Sequence, residues 1–139
     1  MWLLDTNVVS ELRKVPAGRA DSNVLKWANT HPLQQCCLSV IVVKELALGV
    51  LLVEHRDEAQ GRLLREWLNT VLSGFTDRIL EIDGSVALRA ASLHVPDPAP
   101  EADAYIAATA LEHNLCLVTR NTVDFARFPG ISLQNPWET

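Results

Sequence analysis

Short apolar runs alternate with helical patterns along the whole chain, and this alternation limits the fold more than any other feature. Residues 1–4, 36–40, 79–82, 115–119 and 131–133 read as buried strands. Between them the spacing of apolar residues predicts helices over 6–12, 21–30, 42–54, 57–72, 85–94 and 101–113. Strands that alternate with helices imply right-handed crossovers, hence an α/β protein. Its central parallel sheet should have four to five strands, with helices on both faces. At 139 residues the chain reads as a single domain spanning 1–139. The segment 95–100, with Pro96, Pro98 and Pro100, is a stiff loop rather than a linker, because both flanks resume packing patterns. The helices over 42–54 and 57–72, separated by a short polar turn, should pair as an αα-hairpin.

Four carboxylates stand where a folded domain has least use for charge. Asp5 ends the opening Trp2-Leu3-Leu4, and Glu45 interrupts a long apolar run in which Lys44 is the only other charge. Asp103 lies near the start of a helix of small residues and shares its stripe with Ile106, Ala107 and Ala110. Asp124 follows the strand at 115–119 by a polar turn. Asp5 and Asp124 have a structural alternative as helix caps, and Asp103 lies near enough to a helix start to share it with Glu101. For Glu45, expected among Leu48, Gly49 and Leu52, a Lys44 salt bridge is a poor explanation, because neighbouring residues diverge on a helix. Ligands of parallel sheets bind beyond the carboxyl ends of the strands, so acids from distant positions can meet at one rim. Two carboxylates ~4 Å apart repel by about 4 kcal/mol at an effective dielectric near 20. A cluster of them persists only with protons or cations, and carboxylate oxygens suit Mg2+ or Mn2+.

Other chemistries find little support. The net charge of −5 supplies no global basic field for nucleic acid. Cys36, Cys37 and Cys116 lack the spacing of a disulfide framework or zinc site and read as reduced core residues. His31, His55, His94 and His113 form no i, i+4 pair and are expected at the surface. There is no glycine-rich phosphate loop and no Gly-x-Ser-x-Gly. An aspartyl phosphotransferase of the haloacid-dehalogenase type would need a second aspartate where Asn7 stands. No signal peptide precedes Asp5, and the apolar run 36–53 carries Lys44 and Glu45 at its centre, which would be costly in lipid. A cytoplasmic location with no membrane partner is therefore expected.

Four motifs, in order and across the whole chain, resemble those of PIN-domain ribonucleases, specifically the VapC/FitB-like toxins of type II toxin–antitoxin modules. They are LLDTNVVSEL from Leu3, SVIVVKELALG from Ser39, ADAYIAATA from Ala102 and TRNTVDF from Thr119. The resemblance implies a PIN-like fold and a metal-dependent endoribonuclease whose acidic quartet is Asp5, Glu45, Asp103 and Asp124, with Mg2+ or Mn2+ as cofactor. It implies RNA as substrate, products with 5′-phosphate and 3′-hydroxyl ends, a small antitoxin as partner, and a homodimer. Asn7, Thr119 and Asn121 fall where the family keeps polar residues near metal or substrate. Arg13, Lys14 and Arg19 are candidate contacts to the RNA backbone, which position RNA without reading it. Val42 departs from the pattern, since relatives often carry Thr or Ser there, and Tyr105 stands where an aliphatic residue is commoner. A binding module that had lost catalysis is the alternative, and it would be expected to lack some of the acids.

Overall fold

In the computed structural model, which describes residues 1–138, five short strands form one all-parallel sheet in the order β3-β2-β1-β4-β5. The strands are β1 (Trp2–Leu4), β2 (Cys36–Ser39), β3 (Ile79–Leu80), β4 (Cys116–Val118) and β5 (Leu133–Gln134). The helices are α1 (Thr6–Leu12), α2 (Ser22–Thr30), α3 (Val40–Arg56), α4 (Glu58–Gly74), α5 (Gly84–Ser92), α6 (Glu101–Glu112) and α7 (Thr122–Phe125). From β1 the chain builds outward to β2 and β3 on one side, then returns to add β4 and β5 on the other. The order therefore reverses between β1 and β4, with Trp2 opposite Cys116 and Leu4 opposite Val118. A crevice opens at such a reversal, beyond the strands' carboxyl ends, and is where open parallel sheets bind ligands.

Local chemistry sets the element ends. Asp21, Ser39 and Asp83 cap α2, α3 and α5 by accepting N–H bonds from the first turns. Asp57 alone makes the turn between α3 and α4. Its N–H closes α3 on the Val53 carbonyl at 2.8 Å, and its carboxylate caps α4 at the Gln60 N–H. The expected hairpin is thus tighter and longer than the polar turn suggested. In it Gly61 lies so close to α3 that a Cβ would fall 2.5 Å from the Glu54 Cα. Pro100 leaves α6 without a side-chain cap, and Glu101 and Asp103 face the positive end of its dipole instead.

The core is continuous around the sheet, with Leu3, Leu4, Val8, Leu38, Val42, Ile106, Leu117 and Phe125 among its fully enclosed side chains. A smaller cluster, Val86, Ala90 and Ala108 with Tyr105 against it, joins α5 to α6. Cys36 and Cys37 are buried and free, and burial pushes the Cys36 thiol up to about 11. No helix among the described residues is long and apolar enough to cross a membrane.

Several sequence expectations need correction. The strand expected over 79–82 keeps only two residues, and the last strand starts at Leu133, after a turn with Gly130 at φ +80°. Leu48, Gly49 and Leu52 do not enclose Glu45. They face outward with Leu51, and the buried side of α3 is Val42, Leu46 and Val50. His31 stacks on Trp27 at 4.4 Å, and His94 is half-buried, its Nδ1 accepting the Ala99 N–H at 3.0 Å, so neither is a surface histidine. The His31 ring uses its face as flat apolar surface, whereas His94 is held through its ring nitrogens, Nε2 lying 3.6 Å from Glu101.

Candidate active site at the carboxyl edge

Asp5 is the anchor. Its N–H donates to the Val118 carbonyl of the neighbouring strand at 2.9 Å, which fixes its backbone at the reversal between β1 and β4. One carboxylate oxygen caps α1 by accepting the Thr6 N–H at 2.8 Å. The other accepts the Thr119 hydroxyl at 2.7 Å and the Asn7 amide at 3.4 Å. The cap that the sequence offered as an alternative is present, and the same side chain, 6% exposed, also holds Thr119 and Asn7 at the rim. The segment after β4 is laced to the same point: the Asn7 side-chain carbonyl accepts the Arg120 N–H at 3.2 Å, and the Thr119 hydroxyl accepts the Asn121 N–H at 3.0 Å.

Glu45 reaches the rim from α3, where the Thr6 hydroxyl donates to its carboxylate at 2.6 Å. Nothing in the sequence singles out Thr6 for this; Val42, where relatives often carry a hydroxyl, is wholly buried, and the hydroxyl on Glu45 comes from the residue after Asp5. Asp103 enters half-buried from α6, and Asp124 lies exposed on the first turn of α7 rather than capping it, the cap position being Asn121.

The four acids sense one another. Burial, above all, raises the Asp103 carboxyl above the usual range, and the charges of Asp5, Asp124 and Glu45 raise it further. Asp5 is also raised, by burial first and by Glu45, against the lowering bonds from Thr119 and Thr6. Ionising either group costs more in the folded protein than in the unfolded chain. The stability they contribute is therefore complete below the ordinary aspartate range and is lost as pH rises through the raised folded values. At neutral pH a cation can do what protons do in acid.

No lysine, arginine or histidine among the described residues lies within ion-pair distance of any of the four. The donors are all carboxylate and hydroxyl oxygens, the set that Mg2+ and Mn2+ prefer. No three acidic, histidine or cysteine side chains among the described residues form a ready-made cage, although Asp103 feels the other three charges. The arrangement is an open, anionic rim suited to a hydrated cation shared with a ligand.

Beside Glu45 a groove of about 320 Å³ opens between α1, α3 and α4, floored by Leu46, Val50, Leu64 and Trp67 and edged by Thr6, Ser10 and Arg13. It continues over Leu12, Leu33, Val71 and Phe75. Leu68, next to Trp67 on α4, is in the core. Cavities of similar size elsewhere, by the 95–97 loop and at the amino ends of β1 and β4, contain none of the four acids. Of the basic residues expected to meet RNA, Arg13 lies over the Trp67 ring at 5.9 Å, Lys14 pairs with Glu11 at 3.0 Å, and Arg19 is exposed.

Comparison with known proteins gives consistent results. A family model described as the PIN domain matches residues 2–131. The chain is 39% identical over 145 residues to the toxin FitB of Neisseria gonorrhoeae, and 36% identical over 146 residues to a VapC ribonuclease of Sinorhizobium fredii, with 99% of each chain covered in both cases. Among solved structures, FitAcB from Neisseria gonorrhoeae superposes with a TM-score of 0.89 at 35% identity, over 100% of both chains. A toxin–antitoxin complex from Klebsiella pneumoniae superposes with a TM-score of 0.71 at 30% identity, also over 100% of both.

Proposed function

The chain belongs to the PIN-domain family, and from that premise we propose that it is a ribonuclease acting as the toxin of a toxin–antitoxin module. Its likeness over nearly its whole length to a toxin and to a VapC ribonuclease supports this. The observation that carries it to particular residues is the convergence of four carboxylates from four distant segments, near enough that Asp103 feels the charges of the other three, with no paired cation among the described residues.

On this reading Asp5, Glu45, Asp103 and Asp124 hold Mg2+ or Mn2+. When bound, the ion supplies an activated nucleophile near neutral pH and neutralises charge developing on the phosphate, so no histidine base is required. The protein's own residues fix the geometry. Thr119, Asn7 and the Thr6 N–H hold Asp5 in one orientation, and the Thr6 hydroxyl holds Glu45. Rigid acids of this kind lose little freedom when substrate arrives. Asn121 and Thr119 keep the turn before Asp124 in place. Cleavage inside an RNA chain leaves 5′-phosphate and 3′-hydroxyl ends.

The partner is a small antitoxin whose segment lies in the groove over Leu46, Val50, Leu64 and Trp67 and blocks Glu45 at its end. The second contact surface belongs to a homodimer, through the outward leucines of the α3–α4 pair.

The reading is tested by incubating total RNA with the antitoxin-free protein and with Asp5→Asn, each with Mg2+, Mn2+ or EDTA. Discrete products that require metal and disappear in the variant are expected. Folded, metal-binding protein that cuts no RNA would reject it, as would cleavage that survives EDTA in a clean preparation.

A further inference from the structure

Arginine fates differ sharply across the molecule. Arg65 and Arg89 are held by Glu54 and Glu112 at 2.7 and 2.8 Å. Arg78 donates to the carbonyls of Cys36 and Gly74, and Arg127 to those of Asp97 and Pro98. Arg13 and Arg120 have neither kind of partner. Each exposed guanidinium lies over an indole, Arg13 5.9 Å from the centre of the Trp67 ring and Arg120 5.0 Å from that of Trp137. No carboxylate among the described residues is within ion-pair distance of either, although the charge of Arg120 helps to lower the Glu11 carboxyl.

The surrounding bonds are structural and specific. The Arg120 N–H is held by Asn7, and its carbonyl accepts the Asn135 amide at 3.5 Å. Asn135 also accepts the Trp137 N–H at 2.9 Å, and the Trp137 carbonyl accepts the Asn23 amide at 2.7 Å. The Arg120 backbone is thus tied through Asn7 to the frame that holds Asp5, and the Trp137 backbone is tied to Arg120 through Asn135 and to α2 through Asn23. A cation–π contact uses the face of a guanidinium and leaves its N–H edge free. Phosphate oxygens are the natural acceptors for that edge, because they accept two parallel charge-assisted bonds.

We propose that Arg120, held over the Trp137 ring, binds a phosphate of the RNA strand next to the one that is cut, with Trp137 as the positioning residue. This rests on the ribonuclease reading above. Arg120 directly follows Thr119, whose hydroxyl is on Asp5, and its own N–H is on Asn7, so its backbone adjoins the frame over which a strand cut at the acids would lie.

The experiment uses a fluorophore-labelled single-stranded RNA oligonucleotide spanning a cleavage site mapped in total RNA. Arg120→Ala should raise KM about tenfold with kcat within about twofold, the scale of one charge-assisted contact made equally in ground and transition states. Arg120→Lys should recover part of that loss, Trp137→Phe most of the wild-type KM, and Trp137→Leu little of it. In an Asp5→Asn background, removing Arg120 should flatten the dependence of log binding constant on log salt by about 0.7, one phosphate's worth for a single strand. Arg62→Ala on α4 controls for the lost charge. If the wild type cuts and Arg120→Ala matches it in KM and salt slope, this inference is wrong and the ribonuclease reading stands. A fall in kcat alone, unrelieved by lysine, would also overturn it. If the wild type cuts no RNA, both fail.

Discussion

Thr6 shows how much one hydroxyl can organise. Its N–H is on Asp5 and its side chain is on Glu45, so one residue sets the spacing between two acids whose positions are 40 apart in sequence. Thr6→Val keeps the shape and removes only the bond to Glu45. It should lower kcat about tenfold, the scale of a hydrogen bond to a charged group, with KM and melting temperature little changed. Steady-state cleavage of one oligonucleotide decides it: full activity would mean that α3 alone orients Glu45. The acids were legible in the sequence as candidates because charge in apolar surroundings needs a reason, and that reason held for Asp5 and in part for Asp103, Asp124 being exposed and Leu48 and Leu52 facing away from Glu45. Thr6 was not legible, since a threonine after an aspartate looks like an ordinary helix start and its partner comes from another element. Asn7 and Thr119 were found by resemblance, and the structure supplies their physical work, which is to hold one oxygen of Asp5.

At the scale of elements, periodicity located all five strands and the six long helices, and it failed mainly at their ends. Helix α3 begins at Val40, not 42, because the Ser39 hydroxyl caps it, and β-branched residues in the first turn read as a continuation of the strand. The short α7 was seen only as a turn. Nothing in the local pattern signalled the closeness of α3 to α4, which depends on Gly61 lacking a Cβ. In an ordinary helix Gly→Ala stabilises by about 0.5–1 kcal/mol. Here the new methyl would meet the Glu54 backbone at 2.5 Å, so Gly61→Ala should destabilise by roughly 2 kcal/mol instead, read from urea unfolding. Increased stability in that variant would show that the hairpin can open without cost. The Glu54–Arg65 pair beside it is a solvent-facing contact and cannot compensate.

For the whole molecule, Leu48, Leu51, Leu52 and Leu63 remain 45–64% exposed on one pair of helices, more apolar surface than an isolated α/β protein gains from showing. We expect a dimer by light scattering and a monomer when Leu51→Lys and Leu52→Lys are combined. An unchanged mass in the double variant would place the dimer contact elsewhere. Sequence pattern predicted the sheet and its layers, but it placed Leu48 and Leu52 around Glu45, since a helix apolar on every side reads as buried whatever covers it. The strand order has one more consequence, for the order in which the protein is made. Asp5 is among the first residues to leave the ribosome, yet its backbone partner Val118 and the Thr119 hydroxyl that holds its carboxylate come from the last fifth of the chain. Until β4 inserts beside β1, one edge of β1 is bare and two of the four acids have not been brought to it. On the ribonuclease reading, a nascent copy is expected to lack a complete acidic rim, and with it cleavage of the RNA that encodes it, until synthesis is nearly over.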